Sequence, residues 1–192
     1  MRMIALLALF VGFVPPFSHP TSSWAGASYE ESLKQLADGI TEGAVKAKKR
    51  RLAVLDFTDS TGAPTPIGQF LAEELGTQIM VAGELIIVDR TLLHSTLKKL
   101  HVEHVDSAHA KAVRRAAKSI RADVFVSGVI VETPDGVQIT VRLISPGDSQ
   151  PIGATRGVLP KGGPLSTFLK KKSRSSRLCI SSIPKSHPRR SG

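Results

Sequence analysis

The chain has 192 residues and a formal net charge of +10, with 26 Lys and Arg against 16 Asp and Glu. The charge is unevenly placed: residues 28–150 carry 15 basic and all 16 acidic residues, whereas residues 151–192 carry 10 basic residues and no acid. The body is therefore close to neutral, which excludes a basic nucleic-acid-binding domain, because neutralising phosphates requires excess cation on the folded part. With 41% hydrophobic and 22% charged residues, the chain can bury a core, and global disorder is excluded. A lone Cys179 excludes an internal disulfide framework and a multi-cysteine metal site. The chain has no Asn and so no N-glycosylation acceptor. No apolar run reaches the roughly 18 residues that a membrane-spanning helix needs.

Residues 1–27 read as an export signal. Arg2 precedes an apolar run from Met3 to Val14, closed by Pro15 and Pro16. Such a run, about 12 residues long, suits a signal-peptide core and is too short to span a bilayer. Small residues at Ser23, Ala25, Gly26 and Ala27 supply a cleavage region. No cysteine stands there to be acylated, so the expected product is exported and is not a lipoprotein.

In the body, Ser28 and Glu31 have capping-box spacing, and Tyr29, Leu33, Leu36, Ile40 and Ala44 recur at helical period. Lys46, Lys48, Lys49, Arg50 and Arg51 suit the end of that helix through the macrodipole. Leu52 to Phe57 is an apolar run without helical period, predicted as a strand covered on both faces. A loop over 58–66 leads to a helix over 67–81 carrying Phe70, Leu71, Leu75 and Ile79, with Gly83 as its left-handed terminator. Leu85 to Val88 reads as a second buried strand. Thr91 is placed to cap a helix with Leu92, Leu93, Leu97 and Leu100. A further helix over 107–120 sets Ala108, Ala112, Ala116 and Ala117 beside Val113 and Ile120, small enough to lie close on a sheet. Residues 124–131 form the third strand, and Thr133-Pro134-Asp135-Gly136 a turn. Val137, Ile139, Val141 and Leu143 then alternate with Gln138, Thr140 and Arg142, which predicts a half-exposed antiparallel strand. A last short strand is expected over 155–159. The order of elements implies an α/β three-layer sandwich with a mixed sheet: parallel strands plus an antiparallel C-terminal hairpin or meander.

Several of these segments resemble FlgO/CsgG-type bacterial envelope domains. They are Arg51 to Asp59, Ile67 to Leu75, Val88-Asp89-Arg90 with the Leu-rich helix after it, and Ala122 to Val129 before the hairpin. The resemblance covers roughly residues 28–165. It implies a non-catalytic α/β domain whose relatives assist flagellar outer-membrane structures, curli export or, in related activators of penicillin-binding proteins, peptidoglycan synthases, by contacting other proteins. Two departures stand out: many relatives are lipoproteins, and the curli channel needs long alternating excursions that this chain lacks. The chain therefore divides into a signal peptide (1–27), the FlgO/CsgG-like domain (28–165) and a basic disordered tail (166–192).

His101, His104, His109 and Asp106 are the only candidate metal cluster, but they fall at a helix-to-helix connection, where histidines serve as exposed polar filler; no metal is expected. Asp56 and Asp59 close the first strand, where open α/β sheets bind ligands. The residue types fit better with Asp59 and Ser60 shaping a turn and Asp56 accepting local hydrogen bonds than with an acid–base pair. The loop over 58–68 lacks the ending of a phosphate-binding loop, and no G-x-S-x-G is present. Asp89-Arg90 is expected to fix a strand-to-helix turn through carboxylate pairing of the guanidinium, or to anchor an interface.

The resulting expectation is an exported, non-enzymatic interaction domain without catalytic residues or cofactor, in the periplasm or peripheral to the outer membrane. Its partners would be envelope proteins or a second copy, and nucleic acid is not expected. The first alternative is a small-ligand-binding or hydrolytic α/β protein using a pocket near Asp56, Asp59 and Asp89. The second is an anionic-surface binder acting through the basic tail.

Overall fold

The protein is described by a computed structural model covering residues 28–102, 105 and 108–168. The expected signal segment and the tail beyond 168 lie outside the described residues. Helix α1 (Tyr29–Lys46) begins where the Ser28 hydroxyl accepts the Glu31 amide at 3.2 Å. It buries the predicted stripe of Tyr29, Leu33, Leu36, Ile40 and Ala44. Strand β1 (Arg51–Val54) follows, then α2 (Pro66–Ala82). Thr65 caps α2 through its hydroxyl with Pro66 in the first turn, and Gly83 ends it at φ +75°, as predicted. After these come β2 (Ile86–Ile87), α3 (Arg90–Lys99), α4 (Ala110–Ile120), β3 (Val124–Glu132), β4 (Gly136–Ile144) and β5 (Pro151–Pro160). The sheet order is β2-β1-β3-β4-β5; β1 pairs in parallel with β2 and β3, while β3–β4 and β4–β5 are antiparallel. This is the expected mixed sheet.

Two cores make the layers. Under α1 and α2 lie Leu33, Leu36, Ile40, Leu71, Leu75 and Ile79 against Leu52, Val54, Val126, Ile139 and Val141. On the other face Leu93, Val113, Ala116, Ala117 and Ile120 of α3 and α4 meet Ala53, Phe125 and Ile144. The alanines of α4 do lie against the sheet, except Ala108, which precedes the helix and is exposed. The second helical layer covers the parallel strands. On the far side of the hairpin Arg142, Ala154 and Arg156 are exposed, which accounts for the clean alternation of β4.

Besides β1, which ends at Val54 rather than Phe57, three elements depart from the sequence prediction. The segment expected as a buried strand over Leu85–Val88 pairs only at Ile86 and Ile87 and lies at the sheet edge, with Ile86 52% exposed. Its buried residues are the flanks: Leu85 enters one core and Val88 the other. Asp89, not Thr91, caps α3, its carboxylate accepting the Leu92 amide at 2.8 Å; Asp is at least as good a cap as Thr, and it comes first in the chain. Strand β5 has 10 residues where a short strand over 155–159 was expected. Gly153 and Gly157 lower its strand propensity, yet the contact with α1 and β4 requires them. A Cβ at Gly157 would stand 2.9 Å from Leu36, and one at Gly153 3.1 Å from Leu143.

Packing also continues past the domain end expected at 165. Residues 165–168 are helical; Leu165 is fully buried, and the Phe168 ring lies 5.0 Å from that of Phe70.

Candidate functional site

The end of β1 is bent. Leu52 and Val54 face the α1/α2 core, and Ala53 and Leu55 face the other. Strict alternation would send Asp56 into the first core, but Phe57 occupies that place and is fully buried. Pairing with β3 resumes only at Thr58, whose amide donates to Gly128 O at 3.0 Å and whose carbonyl accepts the Ile130 amide at 2.8 Å. The chain between carries the irregularity of a β-bulge, a device that re-aims side chains near sheet rims. Here it frees Asp56 to face the helices.

Asp56 is the centre of a polar cluster. Its Oδ1 accepts from an Arg90 terminal nitrogen, and its Oδ2 accepts from Gln69 Nε2 at 3.4 Å. Arg90 Nε lies 3.6 Å from Glu73 Oε1, and His94 Nε2 lies 3.7 Å from Asp56 Oδ1. The Asp56 and Arg90 side chains are only 16% and 24% exposed, whereas Glu73 is 62% exposed. The other Arg90 terminal nitrogen is buried with no hydrogen-bond partner among the described residues. Gln69 and Glu73 stand four apart on α2, as do Arg90 and His94 on α3, so one face of each helix converges on Asp56. The cluster thus ties α2 and α3 to the end of β1.

The other predicted residues lie elsewhere. Asp59 Oδ1 accepts from the amides of Thr61 and Ala63 at 2.8 and 3.1 Å and from the Thr61 hydroxyl at 2.6 Å, which shapes its own loop. Asp89 is engaged as the α3 cap. A cleft of ≈ 320 Å³ does adjoin the cluster, lined by Asp56, Thr58, His94, Lys98 and Ser127 among apolar residues, but Asp59 and Asp89 do not line it. The three carboxylates therefore do not form one pocket. His101 and His109 are exposed, and His104 and Asp106 lie outside the described residues. Among the described residues no group of three or more His, Cys, Asp or Glu could hold a metal ion.

Arg90→Ala should cost about 2 kcal/mol, since it leaves a mostly buried carboxylate with only weaker partners and the pair is partly open to solvent. Thermal melts of Arg90→Ala, Asp56→Ala and the double variant check this. A double variant no less stable than either single one is the expected result, because removing both partners leaves no unpaired charge.

Sequence reasoning missed a second carboxylate. Asp123 Oδ2 accepts the amides of Arg50 and Arg51 at 3.1 and 3.0 Å, and the Asp123 amide donates to Arg51 O at 2.8 Å, fastening β1 to β3 at their first residues. Only its place just before an apolar run hinted at this.

No described helix is long and apolar enough to cross a membrane. A search of curated proteins found no match. Among solved structures, the fold is similar to the LpoB C-terminal domain from Salmonella enterica, at 12% identity and a TM-score of 0.51 over 70% of this chain and 99% of that one. It is also similar to E. coli LpoB as determined by NMR, at 10% identity and a TM-score of 0.52 over 82% of this chain and 80% of that one. At these identities the likeness concerns the fold. The sequence itself matches the FlgO protein family over residues 34–163, and the chain therefore belongs to that family.

Proposed function

We propose that the chain is an exported, non-catalytic protein-interaction domain of the bacterial cell envelope, kin to CsgG-type domains, that assists assembly of a flagellar or outer-membrane surface structure. Membership of the FlgO family supports the setting. The observation that carries the mechanism is the free edge of β5. This strand has 10 residues and pairs only with β4 among the described residues. Beside it runs a groove of ≈ 480 Å³ between α1 and the hairpin, lined by Gly39, Gly43, Leu143, Ile152 and Thr155 among others. An unpaired row of backbone donors and acceptors next to a partly apolar groove is what an extended partner segment needs in order to add a strand and seat its side chains. In this reading Asp56, Asp89 and Arg90 serve the structure that presents the edge, and Asp59 shapes its loop.

A photo-crosslinker at exposed Ala154 on β5 tests the reading against one at exposed Lys111 on α4. In envelope extract from the source cell, a discrete adduct with an envelope protein is expected from position 154 and not from 111. Equal labelling at both positions, or turnover of a small substrate by the purified protein, would count against it.

A further inference from the structure

The body is neutral in sum and polarised in space. The register sets Arg51 beside Ile86, Leu52 beside Val124, and Phe125 beside Ile144, which lies beside Pro151; one end of the sheet is thus shared by the starts of β1, β2, β3 and β5. Helices α1, α2 and α4 each run into one of these starts, so their C-termini gather at the same end. Cations favoured at helix C-termini are concentrated there as a result. Lys48, Arg50, Lys118 and Arg121 are exposed, and none is in an ion pair among the described residues.

The acids at this end are mostly engaged. Glu42 pairs with Lys46 at 2.7 Å, and that contact holds its carboxyl below the usual range. Asp123 is held by backbone amides, and Asp148 by the Ser145 hydroxyl and the Gln150 amide, which also lower its pKa. Among the described residues at this end, Glu84 alone adds unopposed negative charge. The acids Glu30, Glu31, Asp59, Asp89, Glu132 and Asp135 lie towards the other end, at helix starts, the β1–α2 loop and the β3–β4 turn, where exposed Lys98 and Lys161 offset only part of their charge.

The basic end also carries large apolar side chains in the open: Val45 at 50%, Met80 at 52%, Val81 at 78% and Ile86 at 52% exposure. Scattered singly these would mean nothing, but they share one pole with the unpaired cations. We propose that this pole docks on the surface of a bilayer containing anionic phospholipid. The cations would meet the headgroup phosphates, and Met80 and Val81 at the end of α2 would enter the interfacial layer. Headgroup phosphates supply the charge complement and the acyl boundary supplies the apolar one. A nucleic acid or acidic polysaccharide offers only the first, and among the described residues the pole presents no aromatic side chain on which bases could stack.

The test uses the full chain, tail included, and sedimentation with vesicles of phosphatidylcholine alone or of equal parts phosphatidylcholine and phosphatidylglycerol. Binding to the mixed vesicles only is expected. Lys48→Glu/Arg50→Glu/Lys118→Glu should weaken it at least about tenfold, as loss and reversal of charge near the headgroups requires. Met80→Ser/Val81→Ser should leave a weaker residual binding that salt abolishes. Unchanged circular dichroism melts show that each variant is folded. The proposal is overturned by absence of binding, by body variants that bind like the parent while neutralising Lys170, Lys171 and Lys172 abolishes binding, or by a Met80/Val81 variant that binds as tightly as the parent.

Discussion

Gly68→Ala is expected to destabilise the protein by about 3 kcal/mol or more, seen as a fall of roughly 10 °C in melting temperature. The same change at an unhindered helical glycine would stabilise by up to about 1 kcal/mol, so the sign itself is diagnostic. Gly68 lies in the first turn of α2, where an added Cβ would stand 1.9 Å from Phe57 O. That oxygen belongs to backbone fixed on both sides. The Phe57 ring fills the core so tightly against β3 that a Cβ at Gly128 would meet it at 2.5 Å, and Thr58 is bonded to Gly128 and Ile130. Neither partner can yield without moving the start of α2 off the sheet. Gly76, in the same helix with nothing within 4 Å of an added Cβ, is the internal control. Gly76→Ala should hold or raise the melting temperature. If both variants melted above the parent, the packing of α2 against the bulge would be other than described.

Leu165→Ala should cost about 3 kcal/mol, the usual loss for a fully buried leucine. Leu165 is 0% exposed and belongs to the α1/α2 core, although it follows Gly162, Gly163 and Pro164, which leave the strand. Truncation after Phe168 should leave the denaturant midpoint unchanged, whereas truncation after Pro164 should lower it by a similar amount to Leu165→Ala. A chain ending at 164 that unfolds at the parental midpoint would show that these residues add nothing to the core.

Periodicity made the outline of the fold legible. The stripe of α1 and the alternation of β4 each report a single buried face, and Gly83 marks the end of α2 by local chemistry, whereas the Thr65-Pro66 start was read as loop. Tertiary demands hid the rest. Gly153 looks like a break before the short strand expected over 155–159, because its contact with Leu143 belongs to the neighbouring strand. The bulge after Val54 left no sign beyond Asp56 itself, a charged residue inside an otherwise apolar run, so the direction of Asp56 could not be read. Arg90 was recognised as an anchor for a carboxylate, but its partner, 34 positions away, was not specified, because pairing between two helices and a strand end depends on how they assemble.

The closeness of Gly163 to Tyr29 bears on any attempt to tether the protein. A Cβ at Gly163 would lie 3.7 Å from the Tyr29 Cβ, so the first helix and the last described turn adjoin. In a chain trimmed to residues 28–168, a fusion partner, affinity handle or bead attached at either end would therefore start from the same side. A chain captured by such a handle presents Lys48, Arg50 and Val81 outward, and the choice of terminus does not alter which face meets the solution.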